Sequence, residues 1–374
     1  MKCRSCGIEF GESHILKLDN MPKSAQHFPD SDELAEDREV SLTLTQCPYC
    51  GLVQLEGEPV PYYRDVIRAS GISEAMRAFR EKQFSDWVEK NNLQWKKILE
   101  IGCGQGEYLT VMNCMGVKAS GIEHNEESVN VARSQGLNVS RNFIEGVDSK
   151  VSGGLYDGFY ILNFLEHIPN PREFLCGIYK NLSEDGVGII EVPNFNMILK
   201  QKLYSELIQD HLAYYTLESL CNLVENSGFE VIEKNVIWDD YILSINVKKR
   251  QRMDLGEFIS FQEKVKNNIF EFFKQDNRGK KAVWGAGHQA LANMSLLKLN
   301  EVVDYVVDSA PFKQGKFTIG SHIPIIAPDD ISNKGITTIL IMAGGYSKEI
   351  LGIVQKNFPN IIVGILFENG VVGQ

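Results

Sequence analysis

The chain has 374 residues, of which 43% are hydrophobic and 23% are charged, and its formal net charge is −11. This composition is typical of a globular protein with two or three domains, and the acidic balance argues against a nucleic-acid partner. No long apolar run follows Met1 or occurs elsewhere. We therefore expect no signal peptide, no membrane partner and a cytoplasmic location.

The N-terminal region carries two Cys-x-x-Cys pairs, each followed by a glycine. Four thiolates in two such pairs suit a tetrahedral Zn²⁺ ion, and four protein ligands leave no open position for catalysis. The sequence thus predicts a structural zinc site in a domain of residues 1–65, with the ligands Cys3, Cys6, Cys47 and Cys50. Two unrelated surface turns or a redox pair are the alternatives.

A long helix is predicted next, from Glu74 to Glu89. Its core face is expected to carry Phe79, Phe84, Trp87 and Val88, which recur near helical spacing. Tyr62, Tyr63 and Ser70 come just before this helix, where a lid over a pocket could lie. Tyr63 is therefore a candidate catalytic residue, with a purely structural role as the alternative.

A strand, a glycine-rich turn and a helix start follow in residues 97–108. Glycines 102, 104 and 106 let the backbone approach a ligand closely, but Glu100 puts negative charge where a phosphate-binding loop would avoid it. A strand-end carboxylate beside such a turn suits a ligand with a cationic amino group. The aminocarboxypropyl arm of S-adenosylmethionine is one.

Acidic residues also mark the ends of later strands. Glu123 ends the second strand, the usual position of a partner for two ribose hydroxyls. A helix-start acid favoured by the helix dipole is the alternative for Glu123. Glu166 and His167 follow the strand that Asp157 opens, and ligands bind at that edge of open α/β sheets.

The strings ILEIGCGQGEY, GIEHN, YDGFYILNFLEHIPNP and LSEDGVGIIEVPN resemble the successive motifs of class I S-adenosylmethionine-dependent methyltransferases. The resemblance implies a Rossmann-like α/β core over residues 66–250, with S-adenosylmethionine as cofactor. It places Glu100, Gly102 and Gly104 by the methionine arm and Glu123 by the ribose. It places Asn163 and His167 near the sulfonium. The full predicted cofactor-binding set is Glu100, Gly102, Cys103, Gly104, Gly106, Tyr108, Glu123, His124, Asn163, Leu165 and His167.

The order of a Cys₄ pattern, this core and a further domain is similar to the sugar-nucleotide (dTDP-sugar) C-methyltransferases. In that family a string close to HEHxxYF holds the histidine thought to act as base, and here it reads QDHLAYY. Methylating carbon requires removal of a proton beside a carbonyl, which an imidazole can do near neutral pH. The resemblance thus implies His211 as base, with Asp210 and Tyr214 as further candidate catalytic residues. A loop histidine before a helix that starts near Thr216 is the alternative.

Two departures from the family pattern leave the acceptor open. Gln209 replaces a histidine, and large and acidic residues over 238–244 replace small ones in what is expected to be a pocket wall. O- or N-methylation of a sugar or small natural product therefore stays an alternative, as does a non-catalytic binding module.

Residues 251–374 are predicted as a second Rossmann-like domain. A helix from Leu255 to Lys274 is expected to bury Phe258, Phe261, Ile269 and Phe272, and a strand–glycine turn–helix unit follows over 280–290. The sequence of this region resembles the C-terminal domain of the same C-methyltransferases. In that family the domain helps to bind the nucleotide end of the substrate. His288, Lys313 and Lys316 are candidates for a diphosphate, and the lysines fit a solvated loop equally well. A second cofactor such as NAD is the weaker alternative because a third glycine is missing. The implied partner is a small molecule, a nucleotide-sugar; the oligomeric state is not predicted.

Overall fold

The computed structural model describes residues 1–26, 28–65, 72–367 and 370–373. The chain forms two compact units, Met1–Gln251 and Arg252–Gln374. The segment expected as a zinc domain is thus part of the first unit. Over the ranges described, no helix has the length and apolar character needed to cross a membrane.

The first unit contains eleven strands and six α-helices among its described residues. They are β1 (His14–Met21), β2 (Val40–Gln46), β3 (Val53–Leu55), α1 (Glu74–Lys90), β4 (Lys97–Ile101), α2 (Glu107–Asn113), β5 (Lys118–Glu123), α3 (Glu126–Ser134), β6 (Val139–Arg141), β7 (Tyr156–Leu162), α4 (Pro171–Lys180), β8 (Leu182–Pro193), α5 (Phe195–Gln201), β9 (Ala213–Tyr214), α6 (Leu217–Asn226), β10 (Phe229–Ile237) and β11 (Ile242–Lys249).

A seven-stranded sheet forms the centre of this unit, in the order β10-β11-β8-β7-β4-β5-β6. Strands β4 to β8 pair in parallel, and β11 is antiparallel to both β8 and β10. The parallel strands are hydrophobic runs buried on both faces, as helices on the two sides of a sheet require. The strand order reverses between β4 and β7, and a ligand crevice is expected at the carboxyl ends of these two strands.

A smaller sheet joins the N-terminal segment to a distant part of the chain. Its order is β1-β2-β3-β9, with antiparallel pairing of Val53 with Tyr214. Leu42, Leu44 and Phe195 are buried in the core beneath it. The cysteine-rich segment and the segment that follows His211 are therefore hydrogen-bonded parts of one sheet.

Helix α1 begins where the serine N-cap predicts. The side chain of Ser73 accepts a hydrogen bond from the Met76 N–H at 3.2 Å. Phe84, Trp87 and Val88 are buried as expected, whereas Phe79 is only half-buried and Arg80 is buried instead. On α1 itself the Arg80 guanidinium donates to the Gln83 amide oxygen, but a buried guanidinium also requires an anionic partner.

Glu191 on β8 is that partner. The Arg80 Nη2 and Glu191 Oε2 atoms lie 2.6 Å apart, and both side chains are 0% exposed. Gln83 and Ser244 also donate hydrogen bonds to Glu191. The pair ties α1 to the centre of the sheet.

Replacing Arg80 with methionine is expected to lower the free energy of unfolding by about 3–5 kcal/mol, because it leaves the Glu191 carboxylate buried without its cation. Urea denaturation measures this loss. The control is Lys82→Met on the same helix, where an exposed ion pair with Asp86 is removed and about 0.5 kcal/mol or less should be lost. Equal losses in the two variants would contradict the prediction.

The second unit is also an α/β sheet. Its elements are α7 (Gly256–Lys274), β12 (Lys280–Trp284), α8 (His288–Leu296), β13 (Tyr305–Val307), β14 (Ile325–Ile326), β15 (Ile336–Ile341), α9 (Ser347–Asn357), β16 (Ile362–Phe367) and β17 (Gly370–Gly373). The strand order is β14-β13-β12-β15-β16-β17, and only the pair of β16 and β17 is antiparallel. The Rossmann-like arrangement expected from the sequence is present.

The expected core of α7 is partly wrong. Phe258 and Phe261 are 74% and 38% exposed, whereas Ile269, Phe272 and Phe273 are buried. The hydrophobic core of this unit meets the helix only from Val265 onward. Helical periodicity identified an apolar face but not how much of its length the sheet covers.

Candidate active site

The glycine turn after β4 has the backbone geometry that the sequence predicts. Gly102, Gly104 and Gly106 have φ angles of 71°, 54° and 91°, a region that favours glycine. A Cβ on Gly106 would lie 2.2 Å from a methyl carbon of Leu137, and one on Gly102 would lie 3.1 Å from the ring of Phe164. The turn therefore brings bare backbone to the carboxyl end of β4.

Three residues of the predicted cofactor set turn their side chains into the protein. The Cys103 side chain is buried against Gly121, and Tyr108 packs beneath the Arg80 guanidinium at 5.2 Å. Leu165 is fully buried in the core. At these positions the backbone is the part available to a ligand, a distinction that the motif alone does not make.

Glu123 connects β5 to the glycine turn. Its carboxylate accepts hydrogen bonds from the N–H of Gly104 at 2.9 Å and from the N–H of Asn125 at 2.8 Å. Burial raises the pKa of Glu123, and these N–H groups act in the opposite direction. A carboxylate has about four acceptor positions, so this one keeps capacity for ribose hydroxyls.

Glu100 and Asn163 lie at the ends of the two central strands. Glu100 is buried and its Oε2 accepts a hydrogen bond from the Tyr160 hydroxyl at 2.9 Å. Asn163 is exposed, has a φ of 50° and donates its N–H to the Glu191 carbonyl. Asparagine tolerates this left-handed conformation better than most residues, which leaves its amide side chain at the edge of the crevice.

The residues that fit a methyl donor leave little free space between them. A cavity lined by Gly102, Glu123, His124, Phe143 and Phe164 has a volume of about 10 Å³. The acceptor groups and the bare turn match the hydroxyls and amino group of S-adenosylmethionine. The aromatic rings of Phe143 and Phe164 line this space.

Residues 62–65 contact both ends of the candidate site. The Tyr62 hydroxyl donates to Asp210 Oδ1 at 2.7 Å, and Asp65 Oδ1 lies 2.8 Å from Nδ1 of His124. Tyr63 instead packs edge-on against Phe143, with ring centroids 6.0 Å apart. Tyr62, rather than the predicted Tyr63, therefore reaches the segment of the expected base. Ser70 lies outside the described residues.

Two histidines meet beyond the end of β7. His167 closes a short 3₁₀ helix, and its Nδ1 donates to the Asp210 carbonyl at 2.9 Å. The rings of His167 and His211 have centroids 4.8 Å apart. Burial lowers the pKa of His167 to about 4, and burial together with the nearby His167 lowers the pKa of His211 well below its usual range. Both imidazoles are therefore neutral at pH 7.

Asp210 and Tyr214 are engaged with the protein rather than open to a ligand. The two Asp210 oxygens accept hydrogen bonds from Tyr62 and from the Ala25 N–H. The Tyr214 hydroxyl accepts from the Ile208 N–H at 3.0 Å and donates to the Ile208 carbonyl at 3.1 Å. These bonds fix the shape of the loop that carries His211.

Sequence reasoning left Glu166 without a role. This carboxyl is fully buried, and burial raises its pKa to about 8. Its backbone carbonyl accepts a hydrogen bond from the Leu212 N–H at 2.9 Å, which connects Glu166 to the loop that carries His211. Its place directly before His167, at the ligand edge of the sheet, is the signal that could have identified it.

The first part of the altered segment expected as a pocket wall is a turn, whereas its last residues, 242–244, are buried in β11. Trp238, Asp239 and Asp240 connect β10 and β11, have φ angles of 53°, 53° and 65°, and are exposed. The Asp240 carbonyl accepts from the Asn194 amide. Large and acidic side chains are tolerated here because the turn points into solvent, so this departure says little about the acceptor.

The four N-terminal cysteines form a compact cluster of free thiols. The Sγ atoms of Cys3 and Cys50 are 3.5 Å apart and those of Cys6 and Cys47 are 3.8 Å apart. All four sulfur atoms lie within 4.8 Å of one another. Tetrahedral Zn–S bonds of about 2.3 Å imply S···S separations of about 3.8 Å, so the cluster fits a zinc ion.

Two parts of the chain match family models. Residues 76–234 match the model described as a methyltransferase domain, and residues 246–359 match the C-methyltransferase C-terminal domain. The chain is an S-adenosylmethionine-dependent methyltransferase. The resemblance to methyltransferases that the sequence suggested is thereby confirmed.

The chain is similar to several known proteins and solved structures. The methyltransferase is 24% identical over 388 aligned positions to the C-methyltransferase NovU of Streptomyces niveus, covering 94% of this chain and 91% of that protein. It is 27% identical to the ubiquinone biosynthesis O-methyltransferase of Aeromonas salmonicida (strain A449), over 47% of this chain and 81% of that protein. A methyltransferase structure from Clostridium acetobutylicum ATCC 824 is 16% identical, with a TM-score of 0.37, over 46% of this chain and 92% of that chain.

Replacing Glu123 with glutamine in the methyltransferase is expected to weaken binding of S-adenosylhomocysteine by about 10- to 100-fold, since hydrogen bonds to a charged acceptor contribute about 1.5–3 kcal/mol. Calorimetric titration measures this. The control is Glu126→Gln on α3, whose exposed carboxylate pairs with Arg141 and lies off the turn. Unchanged affinity in the Glu123 variant would remove that residue from the proposed ribose site.

The pH profile of turnover should lack the acid limb of an ordinary histidine. His167 lies beside Glu166 and the Asp210 carbonyl, and His211 lies beside His167 and Tyr214. Their lowered pKa values keep both imidazoles neutral even below about pH 6.5, the ordinary pKa of histidine. We expect kcat to hold between about pH 7.5 and 6 and to fall only at lower pH. The unfolded chain takes up protons that these imidazoles do not, so the fold also loses stability as pH drops below about 6.5. A kcat limb centred near pH 6.5 in folded enzyme would contradict the prediction.

Proposed function

We propose that this protein methylates a carbon next to the carbonyl group of a nucleotide-linked keto-sugar, with His211 as general base. The observation that carries the proposal is the pair of neutral, mostly buried imidazoles, His167 and His211, at the ligand edge of the sheet. An imidazole can accept a proton only in its neutral form, and the lowered pKa values of both rings favour that form at pH 7. The similarity to the C-methyltransferase NovU over nearly the whole chain supports transfer to carbon over the O-methyl alternative.

The chain's residues divide the work in this proposal. His211 takes the proton from the carbon, and the C–H electron pair becomes an enolate that forms the new C–C bond. His167 is held in one tautomer by its bond to the Asp210 carbonyl and offers its Nε2 lone pair to a hydroxyl of the acceptor. S-adenosylmethionine supplies an electrophilic methyl group on a sulfonium, whose sulfur leaves as a neutral thioether.

Glu123, Glu100 and the glycine turn are proposed to hold the methyl donor. Glu123 would accept the ribose hydroxyls, and Glu100 would favour the cationic amino group of the methionine arm. His124, fixed by Asp65, would lie beside the adenosine. These groups would hold the two reactants in position, which itself contributes to the rate. The donor already carries its leaving group.

The N-terminal thiols are proposed to bind a structural Zn²⁺ ion. The sulfur separations match tetrahedral coordination, and all four ligand positions are taken by Cys3, Cys6, Cys47 and Cys50. The ion therefore has no open position for substrate.

The pocket of the second unit is proposed to recognise the nucleotide. Asp308 at the end of β13 accepts hydrogen bonds from the N–H groups of Ala286 and Ala310, at 2.8 and 2.9 Å. This repeats the arrangement of Glu123 with its glycine turn. The Lys313 ammonium lies 2.9 Å from Asp308 and lines a cavity of about 420 Å³ together with His288. A diphosphate would meet these cationic and N–H groups at a helix start.

Incubation with a panel of nucleotide-linked keto-sugars and ¹³C-methyl donor tests the function. We expect the label in a new C–CH₃ group, identified by NMR because the labelled carbon resonates well upfield of an O- or N-methyl carbon. Label on oxygen or nitrogen would overturn the proposal, as would acceptance of sugars only after reduction of their keto group.

A further inference from the structure

We propose that Glu166, His167 and His211 form a second metal site, which takes a transition-metal ion such as Co²⁺, Ni²⁺ or Zn²⁺ and inhibits the enzyme when filled. One ligand atom from each residue lies within 4.8 Å of the other two. Some point must therefore lie within about 2.8 Å of all three atoms, and metal bonds of about 2.0–2.2 Å require the atoms to move inward by little more than half an ångström. The Glu166 Oε1 and His167 Nε2 atoms are already 3.8 Å apart.

The Glu166 carboxyl supplies an independent observation. Its side chain is only 3% exposed, and its Oε2 has no hydrogen-bond partner among the described residues. Burying a polar oxygen without a partner is costly, and a cation bound at this position would remove that cost. Other buried carboxylates of this unit have partners: Glu191 is paired with Arg80, and Glu123 is bonded to backbone N–H groups.

The His167 ring is held in the tautomer that a metal ligand needs. Its Nδ1–H donates to the Asp210 carbonyl, so the lone pair is on Nε2. Metal-binding histidines usually donate their other ring nitrogen to a carbonyl or carboxylate in this way. Two imidazoles and one carboxylate favour Co²⁺, Ni²⁺ and Zn²⁺ over Mg²⁺ and Ca²⁺, which prefer oxygen ligands alone.

This site differs in kind from the cysteine cluster. Three protein ligands leave at least one coordination position open, whereas the four thiolates close theirs. Glu166 and His167 are buried, while His211 is partly exposed, so an ion would enter from the His211 side. The inhibitory consequence rests on the proposed function: an ion bound to the lone pair of His211 prevents that imidazole from accepting a proton.

Cobalt binding tests the site without relying on turnover. Enzyme carrying about one zinc per chain is mixed with Co²⁺, passed through gel filtration, and analysed for both metals and for the visible d–d absorption of the cobalt. We expect one additional cobalt per wild-type chain, bound about 10- to 100-fold more weakly in Glu166→Gln and His211→Asn. The zinc content should stay unchanged in both variants, which also shows that the fold is intact. Glu173→Gln, an exposed acid on the following helix, is the matched control.

The outcomes separate the two proposals. Absence of bound cobalt in the wild type, or equal binding in Glu166→Gln, overturns the metal site whatever the activity. If the site exists, methyl transfer should fall in proportion to cobalt occupancy, and Glu166→Gln should need about 10-fold more cobalt for the same inhibition. Bound cobalt with unchanged turnover would overturn the inhibition and, with it, the base role given to His211.

Discussion

Replacing His211 with asparagine should lower kcat for carbon methylation by about 10²- to 10⁴-fold, the usual contribution of a general base. Asparagine is close to histidine in size and neutral like the buried imidazole, so the loop should keep its structure. The Asp210 and Tyr214 side chains that shape this loop bond to other residues and are untouched by the change. Turnover is measured with labelled donor, and affinity for S-adenosylhomocysteine should stay within about twofold of wild type.

An exchange assay isolates the proton-transfer step. In D₂O without methyl donor, wild-type enzyme should exchange the proton on the carbon beside the keto group for deuterium. The His211 variant should not catalyse this exchange. His14→Asn is the matched control, because His14 is an exposed histidine paired with Glu56 in the N-terminal segment. Normal exchange in the His211 variant would assign the base to another group, with His167 the next to test.

The sequence predicts the central site well where backbone geometry determines it. Glycines 102, 104 and 106 need left-handed conformations, and the hydrophobic run of β4 can only be a buried strand. Glu123 follows from the same logic, since an acid at the end of β5 must face the turn after β4. In such motifs the positions of the functional groups are determined by chain direction and residue spacing, and both can be read from the sequence.

Side-chain direction in irregular segments could not be predicted. Tyr62 and Tyr63 are neighbours of the same type, yet only Tyr62 reaches Asp210, because the path of residues 62–65 is set by contacts with distant parts of the chain. Arg80 is hidden for a similar reason: its partner Glu191 is 111 residues away. Buried polar groups depend on tertiary partners, and periodicity carries no information about these.

Short strands were missed for a related reason. Strand β9 has two residues, and only its pairing with β3 makes Ala213 and Tyr214 a strand. Its existence changes the meaning of the cysteine pattern. The cysteine cluster is not a separate module beside the enzyme. Through β3 its segment is hydrogen-bonded to β9, which follows the His211 loop.

Replacing Cys47 with serine should therefore abolish both zinc retention and methyl transfer. Three thiolates bind zinc far less tightly than four, and structural zinc commonly supplies much of the folding free energy of the segment around it. Cys3, Cys47 and Leu52 pack in one core with Tyr215 and Ile168, so loosening the cluster disturbs the chain on both sides of the histidine pair. We expect zinc content to fall below about one tenth per chain and the melting temperature to fall by about 10 °C or more.

In the Cys47 variant, binding of S-adenosylhomocysteine and methyl transfer should be affected to different extents. Well below the melting temperature, the Cys47 variant should still bind S-adenosylhomocysteine, because the glycine turn and Glu123 belong to the central sheet. Its kcat should fall by at least about 100-fold, because the loop that carries His211 is misplaced. Zinc analysis, calorimetry and turnover on the same preparation measure the three quantities. Cys114→Ser, an exposed thiol at the end of α2, should leave all three unchanged. A Cys47 variant that loses zinc but keeps wild-type kcat would show that β9 and the His211 loop are held in place without the metal.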